Sequence, residues 1–591
     1  MVQRPETDST TYDVAILGGG LAGLTLARQI ALEEPGLSVV LVDRLSRPLP
    51  DAAFKVGEST VEIGAQYLAG VLQLREYMTE RQLPKYGLRY FMGGGTGPVH
   101  RRPEFGLSHF APVRSYQIDR GVLENDLREM ADAAGIELLE GWSVADVELG
   151  AGESPHTVLC QKVGNGSNRT LRCRWVVDAM GRRRLLQKKL GFARKAGHGC
   201  SSVWFRYEGR VDITDLVPAS EQSWHARLAE GTRYLSTNHL MGDGYWVWLI
   251  PLCTGNTSVG IVAREDVHAF DSYRTYERAM EWLERYEPVL AAHLAGREPM
   301  DFLCMRNYSY SSRRVFSEQR WTCVGESGVF VDPLYSPGTD FIGYGNSMTI
   351  ELIRADREGR LDRTLADEYN NFYLSLTHWL TNNIQRGYPY MGRATAMTSK
   401  ILWDTCSAWG FLAPQMFAGI YRDPARRERY RQASSHTFEL GFTMQQLLSD
   451  WGERAPGGLA LEFIDYLSVP LLRDLHIRNL QTGKEEDELL ADQAQNVQRF
   501  EELAQVLFLL AVEDVLPEQF HRLSPDGWYN AWALSLDPSR WDEDGVFAPS
   551  TAPRALRPVW ESFRKWFLPA LGTKEEAMRA GSKPAPARAA K

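Results

Sequence analysis

"DVAILGGGLAGLTLARQIALEEPGLSVVLVDR", residues 13–44, decides how this chain folds. Asp13–Leu17 is an apolar run of strand length. Leu24–Leu32 carries its apolar residues at helical spacing, and Ser38–Val42 is a second apolar strand. Gly18, Gly20 and Gly23 punctuate the turn between the first strand and the helix as GxGxxG. Gly18 permits a tight turn, and Gly20 lets the backbone approach a pyrophosphate. Leu21 and Ala22 open the helix whose N–H groups would face the phosphates, and Gly23 lets that helix pack on the strand. Asp43, twenty residues past Gly23, ends the second strand where it can take ribose hydroxyls, with Arg44 beside it. Strand, glycines, helix, strand and acid in this order predict an α/β fold with a dinucleotide-binding Rossmann-like domain.

Bulk composition narrows the setting. With 591 residues, the length suggests three or four domains, or fewer large ones. Net charge is 66 − 75 = −9, which argues against a nucleic-acid partner. Seven cysteines lie far apart with no CxxC pair, so reduced thiols and no metal site are expected. The N-terminus lacks the layout of a signal peptide, and no apolar run reaches the length of a spanning helix. A cytoplasmic protein without a membrane partner is the expectation. The Ala/Pro/Lys-rich residues 571–591 read as a disordered tail.

Two later segments resemble strands of the same sheet. "RWVVDAMGRR" (174–183) ends in Asp178-Ala-Met-Gly181, and "RWTCVGESGVFVDP" (320–333) runs through Gly325 to Asp332 and Pro333. The dinucleotide domain is therefore expected to be discontinuous within residues 1–360. Between its parts, strand-like runs such as "GIELLEGWSVADVEL", "CSSVWFRYEG" and "YWVWLIPL" suggest an inserted β-sheet substrate domain, at about 80–120 and 195–310. From 361 to 570 long amphipathic stretches predict a mainly helical region. Trp379, Trp403, Trp409 and Trp451 there are candidates to line a substrate pocket.

Further motifs narrow the reading. "WVWLIP" (246–251) has the form WxWxIP through Trp246, Trp248 and Pro251. "KVGEST" (55–60) supplies Gly57, Glu58 and Ser59. "PKYGLRYF" (84–91) places Lys85 ahead of a strand, and Gln117 and Arg120 open a helix in "SYQIDRGVLENDL". "DPLYSPGTDFI" (332–342) aims a Pro-Gly turn at a helix start. Together with the single GxGxxG these resemble the flavin-dependent halogenases, a tryptophan-halogenase-like family within the FAD aromatic-hydroxylase superfamily. The resemblance covers roughly residues 12–360.

It implies FAD, supplied as FADH2 by a separate flavin reductase, with O2 and a halide ion as co-substrates. A flavin C4a-hydroperoxide would oxidise the halide to hypohalous acid. That acid would travel to a catalytic lysine, here Lys85, which presents the halogen to an electron-rich aromatic, free or tethered to a carrier protein. Gly57, Glu58, Ser59, Arg120, Asp178, Gly181, Gly325, Asp332, Pro333, Gly338 and Ile342 would join the first glycines around the cofactor. Trp246, Trp248, Pro251 and Tyr335 would border the passage to the substrate, and Ser336, Gly338 and Thr339 would hold the halide. Pro337 has no N–H to give it, and Asp340 adds a carboxylate to the same turn. Tyr335 stands where tryptophan halogenases carry glutamate, which points away from free tryptophan as substrate. The competing readings are an FAD monooxygenase or dehydrogenase on this scaffold without halide use, and a flavin-binding protein without turnover.

Overall fold

The computed structural model describes residues 11–50, 56–228, 232–455 and 463–567; the expected tail lies outside them. The opening motif forms a strand Thr11–Leu17, a helix Leu21–Glu33 and a strand Val39–Asp43. Both strands are almost entirely buried, as parallel strands covered on two faces must be. Thr11–Leu17 pairs in parallel with Val39–Asp43 on one side and with Asn168–Asp178 on the other. Trp321–Cys323 then extends the sheet beyond Asn168–Asp178, so segments some 300 residues apart in sequence share one hydrogen-bonded layer.

A second sheet of eight strands stands beside the first. Its centre is the antiparallel run Cys200–Tyr207, Thr257–Arg264, Tyr245–Pro251 and Thr237–Gly242. Leu88–Phe91 joins in parallel to Thr237–Gly242, followed by Glu104–Gly106 and Phe463–Asp465. That last strand belongs to the otherwise helical C-terminal part, so this part is stitched into the sheet. One expectation is corrected: "GIELLEGWSVADVEL" is not in this second sheet. Glu137–Glu140 pairs with Val39–Asp43, and Trp142–Glu148 pairs with His156–Lys162, both in the dinucleotide sheet. Alternating hydrophobicity identifies a strand but carries no information about its partner.

The C-terminal part is helical, with Arg363–Gly387, Ala394–Ser407, Ser435–Arg454 and the 30-residue Glu486–Val515 as its main rods. At Ala408–Leu412 the chain winds into a π-helical turn, a local irregularity common beside functional sites. Among the described residues no helix is long and apolar enough to cross a membrane.

Candidate active site

Three adjoining hollows run from the glycine turn to the helical part. The first is an open cleft of about 2320 Å³ lined by Gly18, Gly20, Leu21, Ala22, Asp43, Arg44 and Gly181. Gly18 sits at φ +114°, and a Cβ there would meet Ala179 O at 2.5 Å. A Cβ on Gly23 would meet Gly18 O at 2.0 Å, so Gly23 serves helix packing and does not line the cleft. A Cβ on Gly20 would meet nothing, because that face opens on the cleft. The Leu21–Glu33 helix starts there with no side-chain cap and no acid in its first turn. Its first N–H groups therefore point, uncompensated, at a space able to take a pyrophosphate.

Two residues that the motif reading missed hold this turn. Gly19 N–H donates to Asp43 Oδ2 at 2.8 Å, and a Cβ on Gly19 would strike that oxygen. Buried Arg128 donates to Gly19 O at 2.8 Å, to Asp43 Oδ2 at 2.7 Å and to Glu140 Oε1 at 2.8 Å. Asp178 is corrected: it does not line the cleft. Its two oxygens accept the Met180 and Leu186 N–H groups, each at 3.0 Å, and so shape the turn that carries Gly181.

The second hollow continues from the first past Arg120 and Ile342. Gly57, Ser59, Gly325, Pro333, Trp246 and Trp248 line it, with Ser336, Gly338 and Thr339. The two tryptophans share a strand face and lie with ring centroids 5.6 Å apart. Trp246 Nε1 donates to Tyr388 OH at 2.9 Å, and Trp248 Nε1 to Ser258 Oγ at 3.1 Å. His239, which the sequence did not single out, stacks on Tyr90 and lies tilted against Trp246, and burial drops its pKa to about 3, so it is neutral. Pro251 is corrected: it lies at the strand end paired with Thr257, outside this lining. Glu58 and Asp332 border the hollow; the Asp332 carboxylate and Glu58 Oε1 are held by other side chains, while Glu58 Oε2 has no hydrogen-bond partner. Glu58 pairs with Arg206 at 2.7 Å, and Asp332 accepts from His198, Tyr308 and Tyr388. Both line the hollow where the resemblance puts the cofactor, and their side chains tie the loops that carry them to Arg206 and to His198, Tyr308 and Tyr388.

The third hollow, of about 890 Å³ including its mouth, is bounded by Lys85, Glu62, Tyr90, Tyr335, Asp340 and Trp409, with Trp379 and Tyr466 among its other aromatics. Trp403 and Trp451 are corrected. Both are 1% exposed in the helical core, Trp403 against Phe500 and Trp451 donating to Asp514 at 2.9 Å.

The Pro-Gly turn is the wall between the last two hollows. Tyr335 and Ser336 take φ of +72° and +56°, a left-handed conformation that costs strain in residues other than glycine. Ser336 N–H donates to Pro333 O at 2.9 Å and Tyr335 OH to Asp404 Oδ2 at 3.0 Å, which hold it there. The twist sorts the side chains. Ser336, Gly338 and Thr339 line the second hollow, whereas Tyr335, Pro337 and Asp340 line the third. Asp340 thus lies on the other side of the wall from the expected halide donors. Gly338 and Thr339 open the 20-residue helix Gly338–Arg357, whose first-turn N–H groups have no intrahelical acceptor.

Lys85 crosses the same boundary. The antiparallel pair Leu83–Lys85 and Ser115–Gln117 buries it to 2% exposure. Its Nζ donates to Ser59 Oγ at 2.8 Å and to Thr60 O at 2.7 Å. Ser59 Oγ hydrogen-bonds Thr237 Oγ1 at 2.8 Å, and Gln117 Nε2 donates to the same hydroxyl at 2.9 Å. So Lys85 lines the third hollow while its amine is held by a residue of the second. Burial pulls its pKa from 10.5 to about 7, opposed by the charge of Glu62 and by that of Asp340 when it is ionised.

Comparison with known proteins agrees with this layout. A family model described as "FAD binding domain" matches residues 11–270. "Flavin-dependent halogenase chlA" of Dictyostelium discoideum is 25% identical over 496 residues, spanning 74% of this chain and 80% of that protein. A "1H-pyrrole-2-carbonyl-[peptidyl-carrier protein] chlorinase" of Pseudomonas fluorescens is 27% identical over 348 residues, 55% of this chain and 72% of that one. The crystal structure of halogenase PltM shares the fold with a TM-score of 0.58 at 17% identity, covering 84% of this chain and 97% of that one. The open glycine cradle at an uncapped helix start fits the FAD that the family model names. The chain is an FAD enzyme similar to the flavin-dependent halogenases.

Proposed function

We propose that this enzyme halogenates an electron-rich aromatic held in the third hollow, using chloride or bromide and O2, with reduced FAD delivered by a separate flavin reductase. The observation that carries the reading is Lys85, a buried amine that lines the third hollow and is hydrogen-bonded to the wall of the second. Bound reduced FAD would supply two electrons to O2, which with two more from the halide becomes hypohalous acid and water.

The chain's own residues do the rest. Gly18, Gly20, Leu21, Ala22 and Gly181 cradle the cofactor, and Gly57, Ser59, Arg120, Gly325, Pro333 and Ile342 border its ring. The Gly338 and Thr339 amides attract the halide to a helix start. Trp246 and Trp248 fill the wall, so an aromatic substrate stays on the Lys85 side. With its pKa near 7, Lys85 has a neutral amine fraction able to take or orient an electrophilic halogen. Ser59, Thr237 and Gln117 hold that amine at the crossing. Tyr90, Trp379, Trp409 and Tyr466 offer ring faces to a planar substrate. Relatives named for carrier-bound pyrrole substrates support a free or a carrier-tethered aromatic equally well.

The test supplies a flavin reductase, NADH, FAD, O2, bromide and a phenol probe. Brominated phenol should form with wild type. With Lys85→Met it should be lost while reduced FAD is still oxidised. Oxygenated product independent of bromide would overturn the reading, and normal bromination by Lys85→Met would remove Lys85 from it.

A further inference from the structure

The wall turn leaves one carboxyl with no role so far. Asp340 is 8% exposed, lines the third hollow, and has no hydrogen-bond partner on Oδ1. Of the other polar groups lining the hollow, Tyr90 OH also has no hydrogen-bond partner, whereas Lys85, Tyr335, Asp404 and Trp409 are engaged. The Lys85 amine is bound to Ser59 and Thr60, and Tyr335 donates to Asp404. Asp404 also receives Lys400 and Gln445. Trp409 Nε1 lies 3.4 Å from Glu62 Oε2. A buried carboxyl oxygen with no partner is costly unless it meets a ligand.

The groups that act on Asp340 come from three elements. Lys85 faces it from the Leu83–Lys85 strand and Glu62 from the Glu62–Gln66 helix, and Tyr344 lies one turn along its own helix. Burial, seconded by Glu62, raises its pKa to about 8, against the opposing pull of the Gly64 amide and of Lys85. At neutral pH the group is therefore a carboxylic acid with a proton to give.

Resting on the halogenase reading above, we propose that Asp340 is a second catalytic residue, acting as proton donor and then proton acceptor in halogen transfer to the arene. Hypohalous acid, HOX, is the oxidant. The arene π electrons form the C–X bond as the X–O bond breaks. The departing hydroxide takes the Asp340 proton and leaves as water. The Asp340 carboxylate so formed accepts the proton from the halogenated carbon, and the C–H electron pair restores the ring. Arene and HOX become haloarene and water, two electrons pass from the ring to the halogen, and Asp340 ends protonated as it began.

The experiment has two readouts. Infrared difference spectra of the protein without FAD, taken below and above about pH 8, should show a protonated-carboxyl band that titrates in wild type and is missing in Asp340→Asn. Asp340→Glu, which shifts the band without deleting it, assigns it should the Asn variant fail to fold. Turnover with reduced FAD, O2, bromide and resorcinol should then fall about 100-fold in Asp340→Asn, the low end of what general acid–base catalysis contributes. Asp340→Glu should recover part of it with a displaced pH profile. A titrating band unaffected by either substitution, or full bromination by Asp340→Asn, overturns the role of Asp340 alone. A wild type that oxidises reduced FAD yet forms no bromide-dependent product overturns the halogenase reading and this proposal with it.

Discussion

Lys85 should make the fold less stable as pH falls, and the size of the effect follows from its burial. In the unfolded chain the amine titrates near 10.5; in the fold burial brings it to about 7. A lowered folded-state pKa means that the unfolded chain binds the proton more tightly. The amine's contribution to stability is thus present above about pH 10.5 and is lost as pH falls through the window to 7. Each pH unit inside the window is worth about 1.4 kcal/mol. From about pH 9 down to 7 the loss is about 2.3 kcal/mol, and it levels off near about 2.7 kcal/mol by pH 6.

Lys85→Met keeps the stem's apolar bulk and removes the amine. Ser59 Oγ retains Thr237, and Thr60 O loses its Lys85 donor at a cost of about 1–3 kcal/mol that does not depend on pH. Asp340 titrates in both proteins and cancels to first order. Urea unfolding at about pH 9 and pH 6 should therefore show the variant gaining about 2–3 kcal/mol on wild type at the lower pH. Parallel pH profiles, or a gain at the higher pH, would refute the claim that burial governs this amine.

Two glycines of one motif should fail in different ways. Gly20→Ala projects a methyl into open cleft at an ordinary φ of −87°, so FAD affinity should fall about tenfold, about 1.4 kcal/mol, with the melting temperature of the FAD-free protein unchanged. Gly23→Ala drives its Cβ against Gly18 O and should cost about 3 kcal/mol or more of stability by chemical denaturation. Lys400→Met strands the Asp404 carboxylate, which accepts Lys400, Tyr335 and Gln445, and should cost about 3–5 kcal/mol. Lys400→Met combined with Asp404→Leu should recover most of that loss, and a single variant as stable as wild type would show the pair to be dispensable.

Local chemistry made the dinucleotide half legible. Gly18 needs its positive φ, Gly20 its open face and Gly23 its close contact within a stretch of six residues, so the motif carries its own geometry. Asp178, Glu58 and Asp332 were placed beside the cofactor by the resemblance, and in the fold Asp178, Asp332 and one oxygen of Glu58 are held by other groups. Their partners sit in a short helix (Leu186), a strand (Arg206) and a loop (His198) that no motif ties to them. Arg128 and His239 went unseen for the same reason, each bonded to groups at least 12 residues away.

The halogenase site was half legible. The turn "DPLYSPGTDF" shows a proline without a donor and an aspartate where an anion should bind, and in one dimension the two stand together. In the fold, positive φ at Tyr335 and Ser336 turns Ser336, Gly338 and Thr339 to one hollow and Tyr335, Pro337 and Asp340 to the other. The sequence by itself determined the glycine turn and the tryptophan pair, because each rests on spacing within a short local stretch, and its likeness to a family singled out Lys85. Only the tertiary structure decided that Lys85 lines one hollow while bonded to the wall of another and that Asp340 stands apart from the proposed halide donors. Burial, charge and side-chain direction there are set by the second sheet and the C-terminal helices, which reach the site from hundreds of residues away.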